Sequence, residues 1–411
     1  MNKLRKFGLK YCDLPTMLWN VAMLLRPMTL DIDKRYTKRI PVIFYILTTV
    51  IAICYVYVYV ISMLWFVFVK CPETGDLIAA TVVFSLGIAS EIGTTKLIYI
   101  ILNEKLVKNL VEQYLLCDST VVPSSRFAQN IKKTLRAVKK RAIIFWSVII
   151  SNGVAYGGKP IILPGRHLME DSLILYGLEP IFETPNYQIA YCLTLFGIIC
   201  TCYTTSNITA FLIVITGYTE AQILALSEEM TQLWEDAEEH YRKGRKRRNI
   251  ENDIENKFRV MNEFVKSKLT EIVKSHTMNI NLLRQVENAF RGAIALEFML
   301  LIISLIAELL GGLENTYIEI PFALMQVGMD CLIGQRVMDA SVVFENAVYD
   351  SKWENFDTAN MKIVLMILQN SQKTLKLSAG GVTTLNFTSL MAVLKSVYSA
   401  YTTLRSTMNV K

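Results

Sequence analysis

Residues 40–69 form a run of thirty amino acids without one charged side chain. As a helix the run reaches roughly 45 Å, against a hydrocarbon core of about 30 Å, so a single tilted membrane crossing is expected. The rest of the chain repeats the pattern. Apolar runs cover 77–102, 142–158, 186–219, 292–312 and 318–335, and a last one opens at Gly380-Gly381 and continues past Leu404. The fourth is longer than a bilayer needs, so its second half is expected to leave the hydrocarbon as a continuing helix. With 52% hydrophobic residues over 411 positions, the chain falls in the membrane class. Residues 1–39 hold nine Lys and Arg and no apolar signal core, so no cleavable leader is expected. Leu14, Met17, Leu18, Val21, Leu24 and Leu25 give that segment a lightly amphipathic helix, expected to lie partly on the membrane.

The seven runs predict seven crossings, and charge placement predicts their direction. Lys and Arg number nine in 1–39, nine in 103–141, thirteen in 218–291 and five in 336–381, together 36 of 43. The alternate loops hold only Lys70, Lys159 and Arg166. Cytoplasmic loops keep positive charge, so the N-terminus is expected inside and the C-terminus outside. The net charge of +7 thus reflects topology rather than a nucleic-acid surface. A G-protein-coupled receptor has the opposite orientation, and its usual DRY-type and NPxxY motifs are missing. The two N-x-S/T triplets, at Asn207 and Asn386, fall inside a span and at the inner end of the last one, where neither is expected to carry a glycan.

Catalytic patterns are missing as well. His167, His240 and His276 stand apart, and there is no HExxH, GxSxG or Walker loop. Eight Cys without a CxxC pair give neither a metal site nor a disulfide framework. No enzyme activity and no cofactor are expected. Glu91, Glu297, Glu308 and Asp330 lie in or beside apolar runs, where a central charge costs about 3 kcal/mol. They mark either an ion or ligand contact or internal pairs, such as Glu91 with Lys96 and Asp330 with Arg336. The basic cluster 242–248 suits acidic lipid or, beside its acidic neighbours, a solvated loop.

Two groups of residues remain. Phe84, Ile88, Asn152, Tyr156, Tyr187, Tyr191, Leu195, Phe322, Met325 and Met329 fall at similar outer depth on spans two, three, four and six. They are either a mostly apolar pocket for a small hydrophobic ligand or an interfacial aromatic belt. In the last run, Ser396, Ser399, Thr403 and Thr407 recur at steps of three and four, a stripe of hydroxyls on one helix face. The stripe serves either to hold helices together or to line a water-filled path.

The residues Trp353, Leu365, Leu368-Gln369, Lys373, Leu375, Leu377, Gly380-Gly381, Ser389, Leu394-Lys395, Tyr398-Ser399 and Leu404 resemble the C-terminal signature of insect odorant receptors. The loop Phe182-Glu183-Thr184-Pro185-Asn186-Tyr187 also resembles that family. The resemblance implies an all-α membrane protein of seven transmembrane helices with a cytosolic helical anchor. Residues 1–335 would be a six-helix bundle carrying the odorant pocket, with cytosolic loops 103–141 and 220–291. Residues 336–376 would be the anchor that joins subunits, and 377–411 the pore-lining helix. It further implies an odorant-gated, non-selective cation channel in the plasma membrane of olfactory neuron dendrites, built as a tetramer with a co-receptor and needing no G protein.

On this resemblance the hydroxyl stripe lines the pore, with Lys395 turned toward the neighbouring helices and Arg405 away from the cation path. Thr374 departs from the family's Pro, and Thr403 and Thr407 stand where an aliphatic gate is usual. A ring of Thr dewets poorly, so this chain is expected to borrow its gate from partner subunits. The alternative reading is a regulatory or structural subunit without a ligand.

Overall fold

The computed structural model describes residues 8–36, 39–248 and 254–409. They form twelve helices and one two-stranded hairpin: α1 (Leu14–Leu25), α2 (Val42–Thr74), α3 (Leu77–Leu102), α4 (Glu104–Ser119), α5 (Arg126–Ile162), α6 (Asn186–Thr231), α7 (Leu233–Arg248), α8 (Ile254–Gly311), α9 (Leu313–Thr316), α10 (Glu319–Tyr349), α11 (Thr358–Ser371), β1 (Ser378–Ala379), β2 (Thr383–Thr384) and α12 (Phe387–Asn409).

Among the described residues, α2, α3, α6 and α8 are long and apolar enough to cross a membrane. The other expected crossings, 142–158, 318–335 and the last run, lie on α5, α10 and α12; the last is helical only from Phe387, because its expected start at Gly380-Gly381 is the turn of the hairpin. Each of these three mixes hydroxyls, amides or carboxyls into its apolar sequence. Helix α6 is the axis, with 83% of its apolar stretch buried by other helices. It runs unbroken for 46 residues, as expected from a fourth run longer than a bilayer.

Lipid supplies no hydrophobic drive between helices, so close approach at small residues does that work. Three glycines set α2, α3 and α5 around α6. A Cβ on Gly93 would lie 2.3 Å from Thr205 Oγ1, one on Gly153 2.7 Å from Cys202 Sγ, and one on Gly197 2.1 Å from Tyr59 Cε2. Helix α2 is itself irregular, with π turns over Val56–Ser62 and Phe66–Lys70. Such turns rotate the side chains that follow, and Tyr59 sits in the first.

Two cores result. The larger fills the bundle; the second joins the ends of α6, α8 and α10 to α7 and α11 through Leu226, Met230, Met261, Val265, Phe344 and Val364. Helix α10 passes Gln335 and Arg336 without a break, so bundle and expected anchor share one continuous helix. Helix α1, expected on the membrane surface, packs on protein instead. Its Leu14, Leu18 and Leu25 are fully buried, and the Tyr203 hydroxyl of α6 donates to Leu24 O at 2.7 Å. Of the basic cluster, Arg242 and Lys243 make i,i+4 pairs with Glu238 (3.2 Å) and Glu239 (2.7 Å). The side chains of 245–248 lie outside the described residues.

Candidate functional site: a buried cavity and an exposed hydroxyl face

A cavity of about 50 Å³ lies between α2, α3, α5, α6 and α10. Tyr59 enters from α2, Leu86 and Ser90 from α3, Asn152 and Tyr156 from α5, Thr201 and Cys202 from α6, and Glu319 and Phe322 from α10. A volume of that size holds one or two waters, whereas ligand pockets run to about 300 Å³ or more. Occupation by an organic molecule therefore requires its aromatic walls to move. The polar atoms are few. Asn152 Nδ2 donates to Ile318 O at 2.7 Å, tying α5 to the start of α10. Tyr156 donates to Glu319 Oε1 at 3.4 Å, and Ser85 Oγ lies 3.0 Å from Glu319 Oε2.

The loop 163–185 folds onto this end of the bundle. It buries Leu168, Met169, Leu173 and Leu175, and Thr194 of α6 donates to Met169 Sδ at 3.2 Å. Lys159 donates to Met169 O at 3.2 Å, and the Tyr187 hydroxyl to His167 O at 3.0 Å. Burial pushes the Glu170 carboxyl of this loop above its usual range, against Ser172 and Lys159, which lower it.

Of the pocket residues expected from sequence, the structure brings Asn152, Tyr156 and Phe322 to the cavity. Tyr191 and Leu195 sit beside it against Gly157: the Tyr191 hydroxyl is 3.4 Å from Gly157 O, and Leu195 Cδ1 would be 3.0 Å from a Cβ there. Met329 is buried and Met325 half-buried in the bundle core, neither on the wall. Phe84 and Ile88 are not brought to it. They line a separate groove of about 240 Å³ between α2 and α3, with Met63 and Glu91. Phe84 and Leu86 are two residues apart, about 200° around a helix, so the two cannot face one cavity. Tyr59 and Glu319 were missed. The first lay in a run that looks wholly lipid-facing, and the second at a helix end, where a carboxylate draws no notice.

Two internal pairs expected from sequence are replaced by others. Lys96 does not pair with Glu91. Its Nζ lies 2.8 Å from Glu297 and 3.5 Å from Asp330, all three fully buried, and donates to Thr209 at 3.2 Å. Glu91 accepts from the Tyr55 hydroxyl at 3.0 Å. Arg336 pairs not with Asp330 but with Glu220 at 3.0 Å, which Arg141 also holds. Residues five or six apart on a helix point to different sides, unlike those three or four apart. Asp330 therefore finds its base, and Glu91 a hydroxyl, on another helix.

The hairpin before α12 presses on the same bundle. Gly380 and Gly381 take positive φ, 66° and 79°, which suits Gly at the turn. Gly380 N donates to Arg291 O at 2.9 Å, and a Cβ on Gly334 of α10 would meet Leu385 O at 2.1 Å. Helix α12 then packs on α8 and α10 through Leu390, Val393 and buried Val397. Ser396, Ser399, Thr403 and Thr407 are all exposed, and Thr403 and Thr407 donate to Ser399 O (2.9 Å) and Thr403 O (3.0 Å). Lys395, expected against neighbouring helices, is exposed, and Arg405 lies over the Tyr401 ring at 5.6 Å.

Comparison with known proteins adds to this geometry. The chain superposes on the insect olfactory receptor OR5 of Machilis hrabei with a TM-score of 0.75 at 13% identity, covering 95% of this chain and 98% of that one. The same receptor in complex with eugenol matches with a TM-score of 0.73 at 12% identity, over 96% and 98%. These show a shared fold. Odorant receptor 22c of Drosophila melanogaster is 28% identical over 121 residues, 28% of this chain and 30% of that relative. The matched segment thus spans under a third of that relative's length. The sequence model of the 7tm odorant receptor family matches residues 74–398. That is well over half of the chain, and the protein is a membrane protein of the 7tm odorant receptor family.

Proposed function

We propose that this protein is the odorant-binding subunit of a ligand-gated, non-selective cation channel. It crosses the plasma membrane of olfactory neuron dendrites seven times, N-terminus inside, and assembles with a co-receptor.

 

The needed partner is the co-receptor and, for gating, a small volatile organic ligand; no G protein takes part. The observation that carries this reading is the cavity between α2, α3, α5, α6 and α10, in a chain whose last helix leaves a row of hydroxyls uncovered. A neighbour of like fold is described in complex with eugenol, a small aromatic odorant.

The mechanism is a shift of population. A ligand that prefers an enlarged cavity favours the helix arrangement in which the cavity is open, and α10 carries that preference to the hairpin through the Gly334–Leu385 contact. The α12 helices of the assembled subunits then line the cation path with Ser396, Ser399, Thr403 and Thr407. The exposed apolar groove of about 270 Å³ on α10 and α11, with Tyr349, Trp353, Leu365 and Leu368, suits contact between subunits. Tyr191, Leu195, Met325 and Met329 form the outer shell of the ligand site. Phe84 and Ile88 bear on it only from the α2–α3 groove.

The test is electrical recording from cells expressing the full chain with a co-receptor, against a chemically broad panel of volatiles. Phe322→Ala is expected to shift the concentration–response curve at unchanged surface level. A pair of subunits that responds to no volatile would overturn the reading in favour of a regulatory subunit.

A further inference from the structure

Glu319 is the one charged residue on the cavity wall, and it is 94% buried, with a relative exposure of 6%. Its hydrogen bonds are poor. The Tyr156 hydroxyl is 3.4 Å from Oε1. The Ser85 hydroxyl, 3.0 Å from Oε2, lies closer still to Val82 O at 2.7 Å and has one proton to give. Glu308, fully buried on α8, is linked to the same serine: Ser304 Oγ donates to Glu308 Oε1 at 2.8 Å and lies 3.3 Å from Ser85 O. Glu308 Oε2 has no partner among the described residues.

The contrast within the bundle is instructive. Glu297 and Asp330 share buried Lys96, so there the fold supplies a cation of its own. No Lys, Arg or His lines the cavity beside Glu319. A carboxyl group taken out of water either keeps its proton or requires a cation or a full set of donors to ionise, and the fold gives Glu319 neither a cation nor the full set of donors. Around it stand the rings of Tyr59, Tyr156 and Phe322. Aromatic faces attract a desolvated cation, and a carboxylate among three of them is the composition that holds an ammonium group.

We infer that this cavity selects small protonated amines, with the ammonium nitrogen on Glu319 and the hydrocarbon part among the three rings. The inference rests on the cavity being the ligand site. An ammonium ion pairs with the ionised Glu319 directly, and a neutral amine meeting the protonated acid takes up its proton and reaches the same ion pair. The ammonium donates to the oxygens that Ser85 and Tyr156 leave underserved, and Phe322 and Tyr59 swing aside to admit the carbon skeleton.

The experiment records from the full chain with its co-receptor and uses pairs of one skeleton and two head groups: 2-phenylethylamine with 2-phenylethanol, and hexylamine with hexan-1-ol. The amines are expected to act at concentrations at least about tenfold below their alcohol partners. Glu319→Gln keeps the shape and removes the charge. It is expected to raise the half-maximal amine concentration at least about tenfold relative to that of the alcohol of the same skeleton. Phe322→Ala is expected to shift both. If E319Q moves amines and alcohols alike, or if alcohols act and amines do not, the amine inference is overturned while the ligand site stands. If both variants leave every curve unmoved, the ligand site itself is misplaced. Should no compound open the channel, the same pairs are read as shifts in the melting temperature of the purified protein. There E319Q must abolish the amine shift alone, and any other pattern overturns the inference.

Discussion

Tyr59 and Gly197 meet so closely that a Cβ on residue 197 would stand 2.1 Å from the Tyr59 ring. The contact puts α2 on α6 and aims the ring at the cavity. Gly197→Ala therefore forces Tyr59 to turn. The expected result is a half-maximal ligand concentration changed about tenfold or more, together with a lower surface level. The double variant Tyr59→Ala with Gly197→Ala should recover surface level relative to Gly197→Ala alone. Equal levels in the two would mean that the contact is not what limits folding.

The Lys96 cluster gives the largest expected loss. Lys96→Met leaves Glu297 and Asp330 buried without a cation, which costs about 3–5 kcal/mol, enough to empty the cell surface of a protein of ordinary stability. Adding Glu297→Gln and Asp330→Asn removes the orphaned charges and should restore much of the surface protein. Surface biotinylation measures both.

His276 sets an acid limit. It lies on the part of α8 outside the crossing, 7% exposed, its ring centroid 4.5 Å from that of Phe344. Burial lowers it from 6.5 to about 4. The folded pKa is below the unfolded one, so the fold favours the neutral ring. Stability is complete above pH 6.5 and falls as the pH drops toward 4. By pH 5 the loss is about 2 kcal/mol. Melting temperatures at pH 7.5 and pH 5 should separate further for the native chain than for His276→Leu; equal separations would count against it.

Thr403 and Thr407 bear on the proposed gate. Expressed alone, the chain is not expected to give a current that is silent at rest and opened by odorant. Leu at both positions should lower the resting conductance of the co-expressed channel, because aliphatic rings exclude water where hydroxyls hold it. A tight, odorant-gated current from the native chain by itself would refute this account.

The helices were legible because uncharged runs of this length leave a chain few choices, and 186–219 even announced the long α6. Asn152, Tyr156 and Phe322 were legible because aromatic and amide residues at one depth on different runs tend to converge. The partners of Lys96 were not. Glu297 and Asp330 lie 201 and 234 positions further along, and only packing decides which distant helix faces which. Tyr59 was hidden for another reason. Its direction depends on a π turn in α2, and no periodicity drawn on 3.6 residues per turn foresees that rotation.

Helix α8 is also a lever with unequal arms. The Lys96–Glu297 contact pins it near one end. From Glu297 the arm to Gly311 is about 21 Å, and the arm to Met261, in the second core, is about 54 Å. Any rocking about that contact would be about two and a half times larger at Met261 than at Gly311.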